Sequence, residues 1–177
     1  MKRAVLALFL SGFLFDLHAD ELEVRLIRFT GEVPQAPEII RLAKAGLLPS
    51  TDSYTAEVDS TTGAFFHSTK QPLAVQEFDD LAKPKKTVTR FPGVSFSGKT
   101  TQLKKDYIVD LVFSSLALDG IRMDRTPGGA TFPQTIFRTW KITTSITATP
   151  GEWSIVAPGT TDAGSVLLVM LRKSTES

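Results

Sequence analysis

Residues Gly93 to Thr100 read GVSFSGKT and fit the phosphate-loop formula G-x-x-x-x-G-K-[ST] letter for letter. In a working loop of this kind a buried strand delivers a glycine-rich turn to the N-terminus of a helix, where backbone N–H groups and the helix dipole hold phosphate. Lys99 would reach the phosphates and Thr100 would serve magnesium. The surrounding residues oppose that chemistry. Val94 and Phe96 alternate with Ser95 and Ser97 as in a half-buried strand. The preceding Thr87–Phe91 offers only Val88 and Phe91 as core residues and runs into Pro92, unlike a central parallel strand. After the motif, Ile108 and Val109 favour a second strand over a helix, and Asp110 comes too soon to lie beyond an intervening helix and hold magnesium. We therefore expect Val94–Ser97 to be a β-strand with Val94 and Phe96 on one side. Gly93 would sit in a turn after Pro92, Gly98 would begin another, and Lys99 and Thr100 would face solvent.

No other constellation in the chain has the spacing that catalysis or metal binding needs. His67, in GAFFHST, stands without cysteine, a second nearby histidine or a carboxylate four residues away, so it reads as a strand residue and not a zinc ligand. Asp79 and Asp80 are adjacent, and adjacent strand residues point to opposite faces, so they read as solvated carboxylates rather than an acid–base pair. The G-x-S-x-G pattern of a serine nucleophile is absent. Lys85, Lys86, Lys99, Lys104 and Lys105 read as charges that protect a sheet edge or keep a loop in water. Trp140 and Trp153 lie in apolar strand contexts, where core packing outweighs ligand stacking, and each indole N–H then needs a partner. No catalytic, cofactor-binding or metal-binding residue is assigned, and no cofactor is expected.

The elements that would carry these residues are mostly short strands. Glu21–Phe29 alternates Leu22, Val24 and Leu26 against Glu23 and Arg25. A single helix is expected near Pro37, with Ile39, Ile40 and Ala43 on one face and Gly46 ending it. Ser53–Asp59 and Gly63–Thr69, joined by Ser60, Thr61 and Thr62, suit a hairpin. PLAVQEFDDLAKPKK fits a strand through Leu73, Val75 and Glu77 or a helix through Phe78 and Leu81, and Pro84, Lys85 and Lys86 read as a solvated turn. The apolar run in DYIVDLVFSSLALDG suggests a strand covered on both faces. Asp124–Gln134, rich in glycine and proline, reads as a loop. Thr135–Thr149 fits a long strand, bulged where its parity changes, and WSIVAPG and SVLLVMLRKS supply two more. The fold class read from this pattern is mainly β: an antiparallel sandwich or curved sheet with one short N-terminal helix.

The chain starts MKRAVLALFLSGFLFDLHADE, the charged and short apolar regions of a secretory signal, with a cut placed after Ala19. Residues 1–19 are read as signal and 20–177 as a single β-rich domain. Loss of Lys2, Arg3 and Asp16 takes the basic residues from 20 to 18 and the acidic from 19 to 18, leaving a formally neutral chain with no general attraction for nucleic acid. The 177 residues contain no cysteine, so disulfides and thiolate chemistry are excluded.

From Thr87 onward the order of features resembles the C-terminal domain of bacterial secretins, the outer-membrane ring proteins of type II and III secretion and type IV pilus systems. DYIVDLVFSSLALDG is similar to the family's long core strand. FPQTIFRTWKITTSITATPGEWSIVAPG is similar to the stretch in which a Pro and an Arg precede a strand rich in Thr, Ser and Val, with Pro133, Phe137, Arg138, Thr144, Ser145, Gly151 and Gly159 at the matching positions. Residues 87–172 are the secretin-like part. The resemblance implies an exported, non-enzymatic envelope protein of the periplasm or outer membrane, an accessory or ring component that associates with protein partners or with itself through sheet edges. Two alternatives stand beside it: a stand-alone β-sandwich that binds or adheres through its loops, and a nucleotide-binding protein centred on Lys99 and Thr100.

Overall fold

The computed structural model describes residues 20–29, 32–49, 51–156 and 164–172. The expected signal segment, residues 1–19, lies outside them. The described chain is mainly β, with one helix among the described residues. Its strands are β1 (Asp20–Arg28), β2 (Thr51–Val58), β3 (Ala64–Ser68), β4 (Leu73–Phe78), β5 (Pro84–Arg90), β6 (Gly93–Leu103), β7 (Asp106–Arg125), β8 (Thr131–Ala148), β9 (Ser154–Val156) and β10 (Ser165–Arg172), and the helix is α1 (Ala36–Lys44). Eight strands form one antiparallel sheet in the order β8-β7-β6-β3-β2-β1-β10-β9, while β4 and β5 pair separately as a hairpin. The sheet curls until its two ends meet near Ser154, whose hydroxyl donates to the Thr147 carbonyl at 3.4 Å. The result is one curved, nearly closed sheet, the second of the two expected forms.

Alternation explains the curl. Leu22, Val24 and Leu26 of β1 stand opposite Leu171, Val169 and Leu167 of β10, and all six are buried on the concave side. Phe65, Val94, Phe96, Val109, Leu111, Phe113, Trp140 and Ile142 continue that surface around the sheet into one core. Each fully buried side chain of this size stabilises the fold by about 1.5–3 kcal/mol. A second, smaller core lies on the convex side of β1 and β10, where Ile39 and Ala43 of α1 cover Ile27, Val166, Leu168 and Met170 together with Trp153. SVLLVMLR is apolar at nearly every position because β10 is covered on both faces.

Double coverage was expected of β7, and the structure corrects that reading. Val112 is 40% exposed and Asp110 is exposed, whereas Val109, Leu111 and Phe113 are buried, so β7 has one wet face. α1 begins one residue before Pro37 and ends as expected, with Gly46 at φ +68 and Leu47 N–H donating to the Leu42 carbonyl at 2.9 Å, a closing geometry that satisfies an otherwise orphaned carbonyl. Leu73–Phe78 resolves as a strand. Pro84, Lys85 and Lys86, expected as a turn, begin β5, and the turn is Asp79–Lys83, pinned by the Asp79 carboxylate accepting from the Leu81 and Lys83 amides at 2.9 and 2.8 Å.

The expected loop Asp124–Gln134 is also corrected. Only Thr126–Ala130 turn there, with the Thr126 N–H donating to the Ala130 carbonyl at 2.8 Å and the Ala130 N–H donating to Thr126 Oγ1 at 3.1 Å. On either side the ladder continues, Met123 opposite Pro133 and Arg125 opposite Thr131. β7 and β8, 20 and 18 residues long, therefore project beyond the curled sheet as a hairpin arm. The bulge expected in the β8 region falls in its partner, at Leu118/Gly120 of β7.

Candidate functional site

GVSFSGKT lies wholly within β6, and its residues pair with β7 on one side and β3 on the other. Val94 and Phe96 are 4% and 1% exposed and face the same core. Backbone groups that a phosphate loop would present to a ligand are thus engaged in two ladders. Three details differ from expectation, the first being that Gly93 is not in a turn but opens β6, opposite Leu116. Gly98 is a mid-strand residue, opposite Leu111 and Phe65, and an added Cβ would fall 1.8 Å from the Asp110 carbonyl oxygen. Thr100 is buried, its N–H donating to the Gly63 carbonyl at 2.8 Å and its hydroxyl to the same oxygen at 3.3 Å, while Lys99 is exposed.

His67 is a strand residue, stacked on Phe96 at 5.0 Å between centroids and 5.6 Å from the Tyr54 ring. Burial pushes the Tyr54 phenol above its ordinary value. Lys85 and Lys86 lie on β5, Lys99 on β6, and Lys104 and Lys105 at the β6–β7 turn, so the basic residues are distributed over separate elements. Trp140 and Trp153 are 2% and 8% exposed, in the concave and convex cores respectively. Arg25 lies over the Trp153 ring at 4.5 Å, and its Nε donates to the buried Glu23 carboxylate at 2.6 Å, which Ser53 and Arg172 also hold. Among the described residues the Trp140 indole N–H has no acceptor. A buried donor left that way costs about 1–3 kcal/mol. Among the described residues no group of three His, Cys, Asp or Glu side chains could hold a metal, and no helix is long and apolar enough to cross a membrane.

Two features remain that sequence reasoning did not find. The first is the arm. The extra residue Asp119 in β7 separates the Leu118–Phe137 pair from the Gly120–Ile136 pair, and Gly120 takes φ +134, a conformation that side chains disfavour. Across the bulge, the register places Leu118, Ile121 and Met123 on one face beside Phe137 and Pro133; the first three are 53%, 67% and 63% exposed. The opposite face carries Arg122, paired with Asp124 at 2.6 Å and donating to Gln134 at 3.0 Å. The β4–β5 hairpin leans on the arm through Phe78 and Phe132, with ring centroids 5.6 Å apart.

The second is a cavity of about 240 Å³ at the end of the curled sheet from which the arm rises. Leu26 and Arg28 of β1 form one wall, and Ser115, Ala117, Arg138 and Trp140 of β7 and β8 face them. The bulge matters here too, because it lets Asp119 reach back to Arg138 at 3.1 Å. The Asp-Gly step inside an otherwise strand-like run was the one local signal of this geometry.

No family model matches the chain, and neither a curated protein nor a solved structure does.

Proposed function

We propose that this is an exported, non-enzymatic envelope protein that acts by protein association, with the β7–β8 arm as its contact element. The observation that carries this reading is the arm's exposed apolar face, Leu118, Ile121 and Met123, beside the outer edge of β8, which among the described residues is paired with no strand other than β7. An unpaired strand offers a row of N–H and C=O groups to an incoming strand, and alternate side chains supply the specificity. The resemblance of residues 87–172 to secretin C-terminal domains supports an assembly role, and the leader-like first 19 residues support export to the periplasm or outer membrane.

Pro133 indicates which groups the edge presents. It lacks an N–H and stands opposite Met123, so its nitrogen belongs on the side away from β7. Thr135, two residues on, directs its N–H the same way. A Thr135→Pro substitution therefore removes an outward donor while leaving the β7 ladder intact. Native mass spectrometry and cross-linking of residues 20–177 should give a defined assembly that Thr135→Pro weakens without lowering the melting temperature of the dilute, dissociated protein. A chain that stays monomeric at all concentrations, and forms no complex with envelope proteins through the arm, would sink the reading.

A further inference from the structure

We infer that the β4–β5 hairpin is a guard over the outer edge of β8, closed in the unassociated chain and swung aside when a strand adds to the arm. The inference rests on the arm reading above and concerns how that contact is regulated. The hairpin is built as a separate body. It leaves the curled sheet after β3 and returns into β6, yet β3 and β6 pair directly, Ser68 opposite Ser95, so the sheet is complete beneath it. That base is pinned: Thr69 N–H donates to the Val94 carbonyl at 2.8 Å, Val94 N–H to Thr69 Oγ1 at 3.0 Å and Gln71 N–H to the Pro92 carbonyl at 3.0 Å. The hairpin ladder begins at Leu73–Arg90, so one residue on each side, Pro72 and Phe91, joins the body to its base. A neck of two single residues can absorb a rigid-body swing in its backbone dihedrals. The hairpin keeps its own bonds through such a motion, because Glu77 holds Lys86 at 3.4 Å and Arg90 at 3.5 Å, and Thr87 Oγ1 donates to Gln76 at 3.1 Å.

Its resting place is the edge of the arm and not a face. A groove of about 290 Å³ between the two is lined by residues 75–78 of β4 and 132–135 of β8. Neighbouring strand residues point to opposite faces, so a groove touched by four in succession on each strand runs along the two edges. Thr135, whose outward N–H is the donor invoked above, is among them. β4 and β8 share no ladder pair among the described residues, and the Phe78 and Phe132 rings bridge them instead. At their closest, Cα atoms of β4 and β8 lie within 8 Å of each other, whereas two strands with a third paired between them stand about 9.4–9.8 Å apart. An incoming strand therefore cannot pair with this part of β8 until the hairpin moves outward. The ring contact is the latch, and both rings are only partly buried, so it can open without disturbing either core.

The chain has no cysteine, so labels and links can be placed one by one. Spin labels at Leu81→Cys, on the hairpin tip, and Ala130→Cys, on the arm tip, report their separation by pulsed electron paramagnetic resonance in the dilute protein. One narrow distance is expected, and Phe78→Ser should broaden it. The same variant should form its assembly, or a complex with envelope proteins, at about fivefold lower concentration, because losing the latch raises the fraction of chains with a free edge. Phe78→Cys/Phe132→Cys joined by a short bismaleimide should form none, and the unlinked pair should behave as Phe78→Ser does. The guard alone is overturned if the linked protein associates as readily as the unlinked one, or if Phe78→Ser leaves the distance distribution or the half-assembly concentration unchanged. If neither the parent chain nor Phe78→Ser forms any complex, the arm reading fails and the guard fails with it.

Discussion

At the scale of the residue, GVSFSGKT is kept by packing, and its two most conspicuous letters have opposite weights. Gly98 allows β6, β7 and Phe65 to approach more closely than any side chain permits: a Cβ there would meet the Asp110 oxygen at 1.8 Å and the Phe65 ring at 2.8 Å. Because one obstacle is backbone, the strands must separate to admit it, at about 1–3 kcal/mol or more. Lys99 is exposed, and its loss should stay within about 0.5 kcal/mol. Urea unfolding of Gly98→Ala and Lys99→Ala should therefore separate the two clearly; equal effects would refute the packing account. Asp59 supplies a second residue-scale prediction. Its carboxylate accepts from Thr62 N–H at 2.7 Å, Thr62 Oγ1 at 2.9 Å and Thr61 N–H at 3.0 Å, and these bonds hold its pKa below the ordinary aspartate value. Stability from this group is present above the unfolded aspartate pKa and is lost as pH falls through the folded one. The Asp59 carboxyl carbon should titrate by NMR below an unfolded-peptide reference, and Asp59→Asn should flatten the acid limb of the stability curve. A titration at or above the reference would contradict the turn geometry.

At the scale of the element, legibility follows how local the determining interactions are. β1 could be read because Leu22, Val24 and Leu26 alternate with charged residues, and α1 because Pro37, the Ile39–Ala43 face and Gly46 all lie within a few turns of one another. The arm could not. Its order comes from ladder partners such as Met123 and Pro133, and its exposed face lacks the burial contrast that marks a strand. Gly128, Gly129 and Pro133 then make the whole stretch look like a loop, though the turn itself is Thr126–Ala130. The Arg138–Asp119 pair was invisible for a related reason, since it depends on a bulge that changes which residues are neighbours. α1 also gives a test of the convex core. Ile39 is 2% exposed against Val166 and Leu168, so Ile39→Ala should cost about 2–5 kcal/mol. The same change at Ile40, which is only partly buried, should cost clearly less in chemical denaturation. If the two cost the same, α1 is not held by the face described.

At the scale of the whole molecule, the fold divides labour between a curled sheet that is packed on both sides of β1 and β10 and an arm that buries little of its own surface. Local stability should follow that division, because segments with few buried contacts open at lower free energy than the core. The arm therefore has little to hold its exposed apolar face in place unless another chain covers it. If association through the arm is the molecule's mode of action, binding must stabilise the folded state by mass action, and the melting temperature must rise with protein concentration. Ile121→Glu places a charge on the face where Ile121 is 67% exposed, so it should leave the dilute protein's melting temperature unchanged while removing the concentration dependence. Calorimetry over a hundredfold range of concentration reads both quantities at once. A melting temperature independent of concentration in the parent chain would exclude self-association and leave a different envelope protein as the arm's partner. A dependence that persists in Ile121→Glu would move the contact away from the arm, to the β4–β5 hairpin or to the meeting of β8 and β9.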